Sequence, residues 1–146
     1  MMENEKQWKT EEEINKELDA IWDTMNNCIE NGLTKEGQLP GPLHVRRRAH
    51  SLYSKVKAKP SSLLNYLDYV SSYALAVSEE NAAGSRVVTS PTNGAAGVVP
   101  AVLKYVFEFH KKETKKNVHR DFLLVSAAIG IIFKKGASIS GAEGGC

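Results

Sequence analysis

The chain has 146 residues, 42% of them hydrophobic and 25% charged, with a formal net charge of +2. These values describe a single globular domain large enough for one core, and the charge is too small to make nucleic acid the default partner. The 2 cysteines lie far apart, which does not read as a disulfide framework.

The amino terminus, MMENEKQWKTEEE, is charged and has no apolar signal core. Residues 1–10 therefore read as a flexible terminus, and the location as cytoplasmic. Thr10-x-x-Glu13 is a capping-box pattern. Ile14, Leu18, Ile21, Trp22, Met25 and Ile29 then recur at helical spacing, predicting a helix of about five turns that ends near Asn31-Gly32. Cys28 falls inside it and reads as a buried, unreactive thiol. The stretch LTKEGQLPGPL that follows cannot continue a helix. Pro42 suits the first position of a second helix, whose stripe Val45, Ala49, Leu52, Tyr53 and Val56 runs out before Pro60. Arg46, Arg47 and Arg48 are placed on that helix. Three successive helical residues fan across roughly 200°, so at least one is expected to point inward or toward a neighbouring loop.

Ser61 or Ser62 can cap a third helix, patterned by Leu63, Leu64, Leu67, Val70, Tyr73, Ala74 and Val77 and ending around Glu80 to Gly84. SRVVT then reads as an extended approach to a loop. From Gly97 through His110 the apolar spacing is again helical, with Pro100 in the first turn, where its missing N–H is harmless. The lysines from Lys111 to Lys116 complement the carboxyl end of that helix, without the interleaved aromatics of a nucleic-acid surface. A fifth helix opens at Asn117 or Asp121 and is apolar nearly all round from Phe122 to Phe133, hence expected to be deeply buried. It falls short of the ~20 apolar residues of a membrane span. The fold class is all-α: a single bundle of about five helices with Gly-rich functional loops.

Two loops carry the chemistry. SPTNGAAG, Ser90 to Gly97, joins a Pro-started turn, small polar side chains and glycines to a helix start. Gly94 and Gly97 would let the backbone approach a ligand closely or take positive φ, and the N–H groups of the following helix favour a carboxylate or phosphate. GAAG is neither a phosphate-binding P-loop nor a dinucleotide fingerprint, and on the residues alone an ordinary helix-entry turn is the alternative. The last stretch, GASISGAEGGC, offers the hydroxyls of Ser138 and Ser140, the carboxylate of Glu143 and the thiol of Cys146. One cysteine cannot hold a metal alone, and the 4 histidines lie singly along the chain.

Three blocks, LPGPLHVRRRA (Leu39 to Ala49), SEENAAGSRVVTSPTNGAAGVVPAVLKY (Ser78 to Tyr105) and KKGASISGAEGGC (Lys134 to Cys146), together resemble the bacterial iron–sulfur L-serine dehydratases, also called L-serine deaminases. The resemblance covers residues 11–146, with Ser85, Ser90 and Gly144 where the family pattern has glycine, alanine and a larger apolar residue. It implies a truncated helical catalytic domain of an enzyme whose four-iron four-sulfur cluster is held by three cysteines. One iron, left open, acts as a Lewis acid on the hydroxyl of L-serine while a base removes the α-proton, giving aminoacrylate and then pyruvate and ammonia.

Cys146 matches the first cluster cysteine. The other two, and an amino-terminal domain or subunit, would lie outside this chain, which alone is then expected to bind no cluster and turn over no serine. The complete enzyme would be a homo-oligomer, without nucleic-acid or membrane partners. With the family in view, Thr92, Asn93, Gly94 and Ala95 become candidates to receive the substrate carboxylate, with Asn81 and Arg86 as further binding residues. Ser138 and Ser140 would orient the substrate, and Glu143 would carry a proton or meet the substrate ammonium. The alternative function is a helical interaction module that docks a partner domain without catalysis.

Overall fold

The computed structural model describes residues 1–58, 65–89, 93–110 and 117–136. Among them the elements are α1 (Met2–Glu5), α2 (Glu11–Thr34), α3 (Ala49–Ala58), α4 (Asn65–Ala82), a 3-10 turn at Asn93–Ala95, α5 (Val98–Phe109) and α6 (Val118–Gly136). No strand occurs among these residues, so the all-α expectation holds, with the five longer helices α2 to α6 forming the bundle.

The capping box that opens α2 is formed. Glu13 N–H donates to Thr10 Oγ1 at 3.3 Å, and Thr10 N–H donates to Glu13 Oε2 at 2.8 Å. The helix runs past the expected stop at Asn31-Gly32 to Thr34. Gly32 is not a terminator, because it is buried where α2 crosses α4. A Cβ there would lie 2.5 Å from the Ala76 carbonyl oxygen. A glycine at a tight crossing and a glycine at a helix end look alike in sequence.

The connector corrects the sequence reading more strongly. Residues 37–47 fold back on themselves: Leu39 N–H donates to Val45 O at 2.8 Å and Arg47 N–H to Gly37 O at 2.9 Å, with Gln38 bridged antiparallel to Arg46. Gly41 at φ 112° and His44 at φ 52° make the reversal. No helix can start at Pro42, so α3 begins at Ala49, and Arg46, Arg47 and Arg48 precede it instead of riding on it. Arg47 does turn inward, with its side chain 7% exposed.

The end of α4 falls where expected. Gly84, at φ 76°, is the left-handed residue of a Schellman motif. Gly84 N–H donates to Asn81 O at 3.1 Å and Ser85 N–H to Glu80 O at 2.9 Å. Pro100 lies in the first turn of α5, as read from the sequence. Gly97, just before α5, has φ −79°, and a Cβ on it would lie 2.7 Å from the Ala74 carbonyl oxygen of α4. α4 is therefore approached at backbone distance from two sides, by α2 at Ala76 and by the start of α5 at Ala74. Around these crossings sits one core cluster that includes Ile29, Leu33, Ala49, Tyr73, Val77 and Ala101. A second, Ile14, Leu18, Met25, Leu103 and Leu123, ties α2 to α5 and α6.

Helix α6 departs from the expected deep burial. Only His119 and Leu123 are buried, while Val125, Ile129, Ile132 and Phe133 are 60%, 50%, 70% and 64% exposed. The helix is fastened at its amino-terminal end. Asp19 on α2 accepts two 2.7 Å bonds from the Arg120 guanidinium and pairs with His119 Nε2 at 2.7 Å. Its apolar periodicity outlasts the surface available to cover it.

The two close crossings give a stability prediction. Gly32→Ala and Gly97→Ala each force backbone apart and are expected to destabilise the chain by ~1–3 kcal/mol. Gly94→Ala, with nothing within 4 Å of the added carbon, should leave stability unchanged or slightly raised. Urea unfolding of the three variants followed by circular dichroism reads the difference, and equal stabilities would refute the crossing argument.

Candidate functional site

Asn93, Gly94 and Ala95 form the single 3-10 turn that leads into α5, and all three are exposed. The turn is held from below. Asn93 O accepts Ala96 N–H at 3.2 Å and lies 3.5 Å from Asn81 Nδ2 at the end of α4. Asn81 thus does two things left open by the sequence, its carbonyl closing the helix end and its amide reaching the turn. Gly94 does not take positive φ and faces open space. Gly97 does not take it either, and its open side is filled by α4, so its role is packing and not ligand approach. No side chain caps α5, and its first turn presents N–H groups in the orientation that favours an anion.

Ala95 also lines an apolar groove of about 370 Å³ between α2, the turn and α6, together with Met25, Ala96, Leu123, Ser126 and Lys134. Lys134 opens the block that runs on to Cys146. One groove therefore has the second and the third family-like block on its walls. Thr92, Ser138, Ser140, Glu143 and Cys146 lie outside the described residues.

Arg86 is not on the walls of that groove. It lines a polar pocket of about 220 Å³ with Thr24, Asn27, Asn31, Lys35, Glu80 and Ser85. Neither acid before it is its partner. Glu80, 1% exposed, is paired with Lys35 Nζ at 2.6 Å and Arg47 Nη1 at 2.8 Å and accepts the Ser85 hydroxyl at 2.7 Å. Burial by itself raises the carboxyl pKa of Glu80. The bonds from Lys35, Ser85 and Arg47 outweigh it and hold the group below its ordinary value. Glu79, 5% exposed, accepts the backbone N–H groups of Arg48 at 2.5 Å and Ala49 at 3.2 Å through Oε1, and so caps α3 from another helix. Its Oε2 is buried and without a hydrogen-bond partner. The sequence contained a signal for this cluster: two adjacent acids in the last turn of a helix oppose its macrodipole and call for partners from elsewhere in the fold.

A second polar network, between α2, α4 and α5, went unread because Lys104 sits in an apolar stripe. Lys104 Nζ donates to Asn26 Oδ1 at 2.9 Å and Glu30 Oε1 at 2.5 Å and pairs with Glu108 at 3.3 Å. Burial alone lowers its pKa, and the Glu30 and Glu108 carboxylates reverse the sign, leaving it raised. The Tyr73 hydroxyl donates to Glu108 Oε2 at 2.5 Å, and burial together with that carboxylate pushes its pKa well above the usual phenol range. These groups are locked to one another and read as structural.

No group of three or more His, Cys, Asp or Glu side chains able to hold a metal occurs among the described residues. Cys28 is buried against Glu80, and burial first, then that charge, pushes its thiol up to about 11. It is a poor thiolate and a poor ligand, as the sequence reading held.

A family model described as Serine dehydratase alpha chain matches residues 1–146, and the chain belongs to that family. It is 50% identical, over 100% of its length, to an L-serine dehydratase of Streptomyces coelicolor, covering 32% of that protein. It is 48% identical to an L-serine dehydratase of Haemophilus influenzae, again over 100% of this chain and 32% of the relative. The L-serine dehydratase TdcG of Escherichia coli is 47% identical over 100% of this chain and 33% of its own length. The chain thus spans about a third of the length of the curated relatives it matches.

The buried acid cluster sets an acid dependence. A carboxyl whose folded pKa lies below its ordinary 4.5 contributes stability above that value and loses it as pH falls through the folded pKa. The urea midpoint should therefore drop as pH is taken below 4.5. Glu80→Gln, which strands Arg47 and Lys35, should cost ~3–5 kcal/mol at neutral pH and flatten the acid decline. An unaltered decline in that variant would remove Glu80 as its source.

Proposed function

We propose that this chain is the alpha-region part of an iron–sulfur L-serine ammonia-lyase that converts L-serine to pyruvate and ammonia by β-elimination in the cytoplasm. The observation that carries this reading is the groove with Ala95 on one wall and Lys134 on the other, because it supports a common site for the second family-like block and the residue that opens the third. Identities of 47–50% to three L-serine dehydratases support the substrate. No helix among the described residues is long and apolar enough to cross a membrane.

In this reading the side chains of Thr92 and Asn93 and the N–H groups of Gly94 and Ala95 receive the substrate carboxylate. The uncapped start of α5 adds to the positive potential there. Asn81 is a positioning residue, holding the turn through the Asn93 carbonyl. Arg86, bound by neither Glu79 nor Glu80, supplies counter-charge at the rim of its pocket. Ser138 and Ser140 orient the substrate by donating and accepting hydrogen bonds, and Glu143 exchanges a proton or meets the ammonium.

The described residues do not form a cluster site. Cys28 is buried with a raised pKa, and metal-ligating side chains do not converge anywhere among them. Cys146 is the one thiolate this chain would contribute to a four-iron four-sulfur cluster, whose chemistry when bound is Lewis-acid activation of the leaving hydroxyl. Residues 11–146 then act as the catalytic-region portion of a larger homo-oligomeric enzyme, with an amino-terminal domain or subunit as partner. The second reading, a helical module that docks a partner without catalysis, is favoured by the uncovered apolar surface of α6.

Two measurements test the first reading. Anaerobic reconstitution of the 146-residue chain with iron and sulfide should yield no stoichiometric cluster and no pyruvate from L-serine, and turnover by the chain alone would show that its own residues suffice. In the complete enzyme, Asn93→Ala should raise KM for L-serine by roughly tenfold or more, the loss of one hydrogen bond to a charged group. An unchanged KM would leave Asn93 a turn former.

A further inference from the structure

One face of α6 carries Asp121, Leu124, Val125, Ala128, Ile129 and Ile132, which are spaced by three and four residues and line a shallow depression of about 460 Å³ against Met1 and Met2. This is the spacing of a helix-docking stripe. Ala128 at its middle leaves room for close approach, and the large side chains beside it are uncovered, with Val125 60%, Ile129 50% and Ile132 70% exposed. The opposite face of the same helix lines the groove shared with Ala95. α6 is thus committed to the bundle on one side and open on the other. A contiguous apolar strip of this kind marks an interaction surface.

We propose that this strip is the docking surface for the rest of a serine dehydratase polypeptide, which lays an apolar helix along Val125, Ile129 and Ile132. The comparisons select that occupant: the chain corresponds to only 32–33% of relatives that match it from end to end, so two-thirds of each relative is polypeptide with no counterpart in the 146 residues. Charge sets the register. Asp121 lies at one end of the strip, and Lys135, in helical register with Ile132, lies in the last turn of the helix, so the docking helix carries a basic residue near the first and an acidic residue near the second. The inference rests on membership of the serine dehydratase family and is independent of the catalytic roles assigned above.

The test reads association without serine or iron, so a failure of the catalytic reading does not touch it. The Streptomyces coelicolor relative, expressed with a tag and without the segment that this chain matches, is co-expressed with the 146-residue chain. The wild-type chain is expected to co-purify with it at one to one and to raise its soluble yield. Ile129→Glu combined with Ile132→Glu should reduce recovery by roughly tenfold or more. The milder Ile132→Ser should reduce it in the same direction with helix content and melting temperature unchanged. Leu43→Glu, at a side chain 83% exposed on the connector, serves as the control and should bind like wild type. The proposal is overturned if the tagged polypeptide stays insoluble or unbound with the wild-type chain, or if the α6 variants bind as well as wild type. Light scattering that shows a dimer abolished by the same substitutions would assign the strip to a second copy. Flotation with phosphatidylglycerol vesicles lost in those variants would assign it to a lipid surface. Either result would overturn the proposal.

Discussion

The two adjacent carboxylates Glu79 and Glu80 sit in the last turns of α4, 5% and 1% exposed, where the helix dipole repels negative charge. Distant parts of the chain close around them. Lys35 comes from just beyond α2, Arg47 from the folded connector, Ser85 from the segment after α4, and the amides of Arg48 and Ala49 from the start of α3. A buried carboxylate without such partners would be strongly destabilising, so the course of each of these segments is constrained by the pair. The cluster explains why α3 starts at Ala49. Its first amides meet an acceptor there, whereas at Pro42 the reversal made by Gly41 and His44 has not yet been completed.

The same helix governs where the candidate substrate turn sits. Gly97 lies against the Ala74 carbonyl, Asn81 reaches the Asn93 carbonyl, and Gly32 brings α2 against Ala76. One rigid element therefore carries the acid cluster, two backbone-distance crossings and the support of the Asn93–Ala95 turn. This is the arrangement a binding loop requires, since a loop positions a ligand only as well as its scaffold positions the loop. The turn is exposed while Ala96 and Gly97 directly after it are buried, so the change from anchored to accessible backbone takes place within one residue.

Much of this was legible in the sequence. Periodicity alone identified the five longer helices, the Thr10 capping box was formed as read, and the end of α4 fell at Gly84. The misreadings have one origin, which is that local signals are shared by different tertiary causes. Gly32 looked like a helix stop and is a crossing. Gly97 looked like ligand access and is packing. Pro42 looked like a first helical residue and belongs to a reversal, because nothing local to Pro42 reports the amide acceptor supplied by Glu79, more than thirty residues away. Of the candidate site, Asn81 and the Asn93–Ala95 turn come together, Arg86 stands in a separate pocket with Lys35, and the remaining candidates lie outside the described residues. Lys104 was missed because a lysine inside an apolar stripe carries no sign of the two carboxylates that neutralise it.

Helix α6 shows the same ambiguity at the scale of the whole fold. Hydrophobic periodicity reports that a side chain is to be buried, and it does not report by which part of the polypeptide. In α2 to α5 periodicity and exposure agree for most of the apolar stripe, with Leu67, Val98 and Phe109 as exceptions at 54%, 59% and 45% exposed. In α6 they agree as far as Leu123 and part at Val125, and even Ile131, on the groove shared with α2, is 44% exposed. Long apolar residues such as Ile129 and Ile132 stay uncovered although ~25 cal/mol per Å² favours covering them. The boundary between covered and uncovered α6 is thus the edge of the core that the described residues build. The groove beside Ala95 lies on the covered side of that edge.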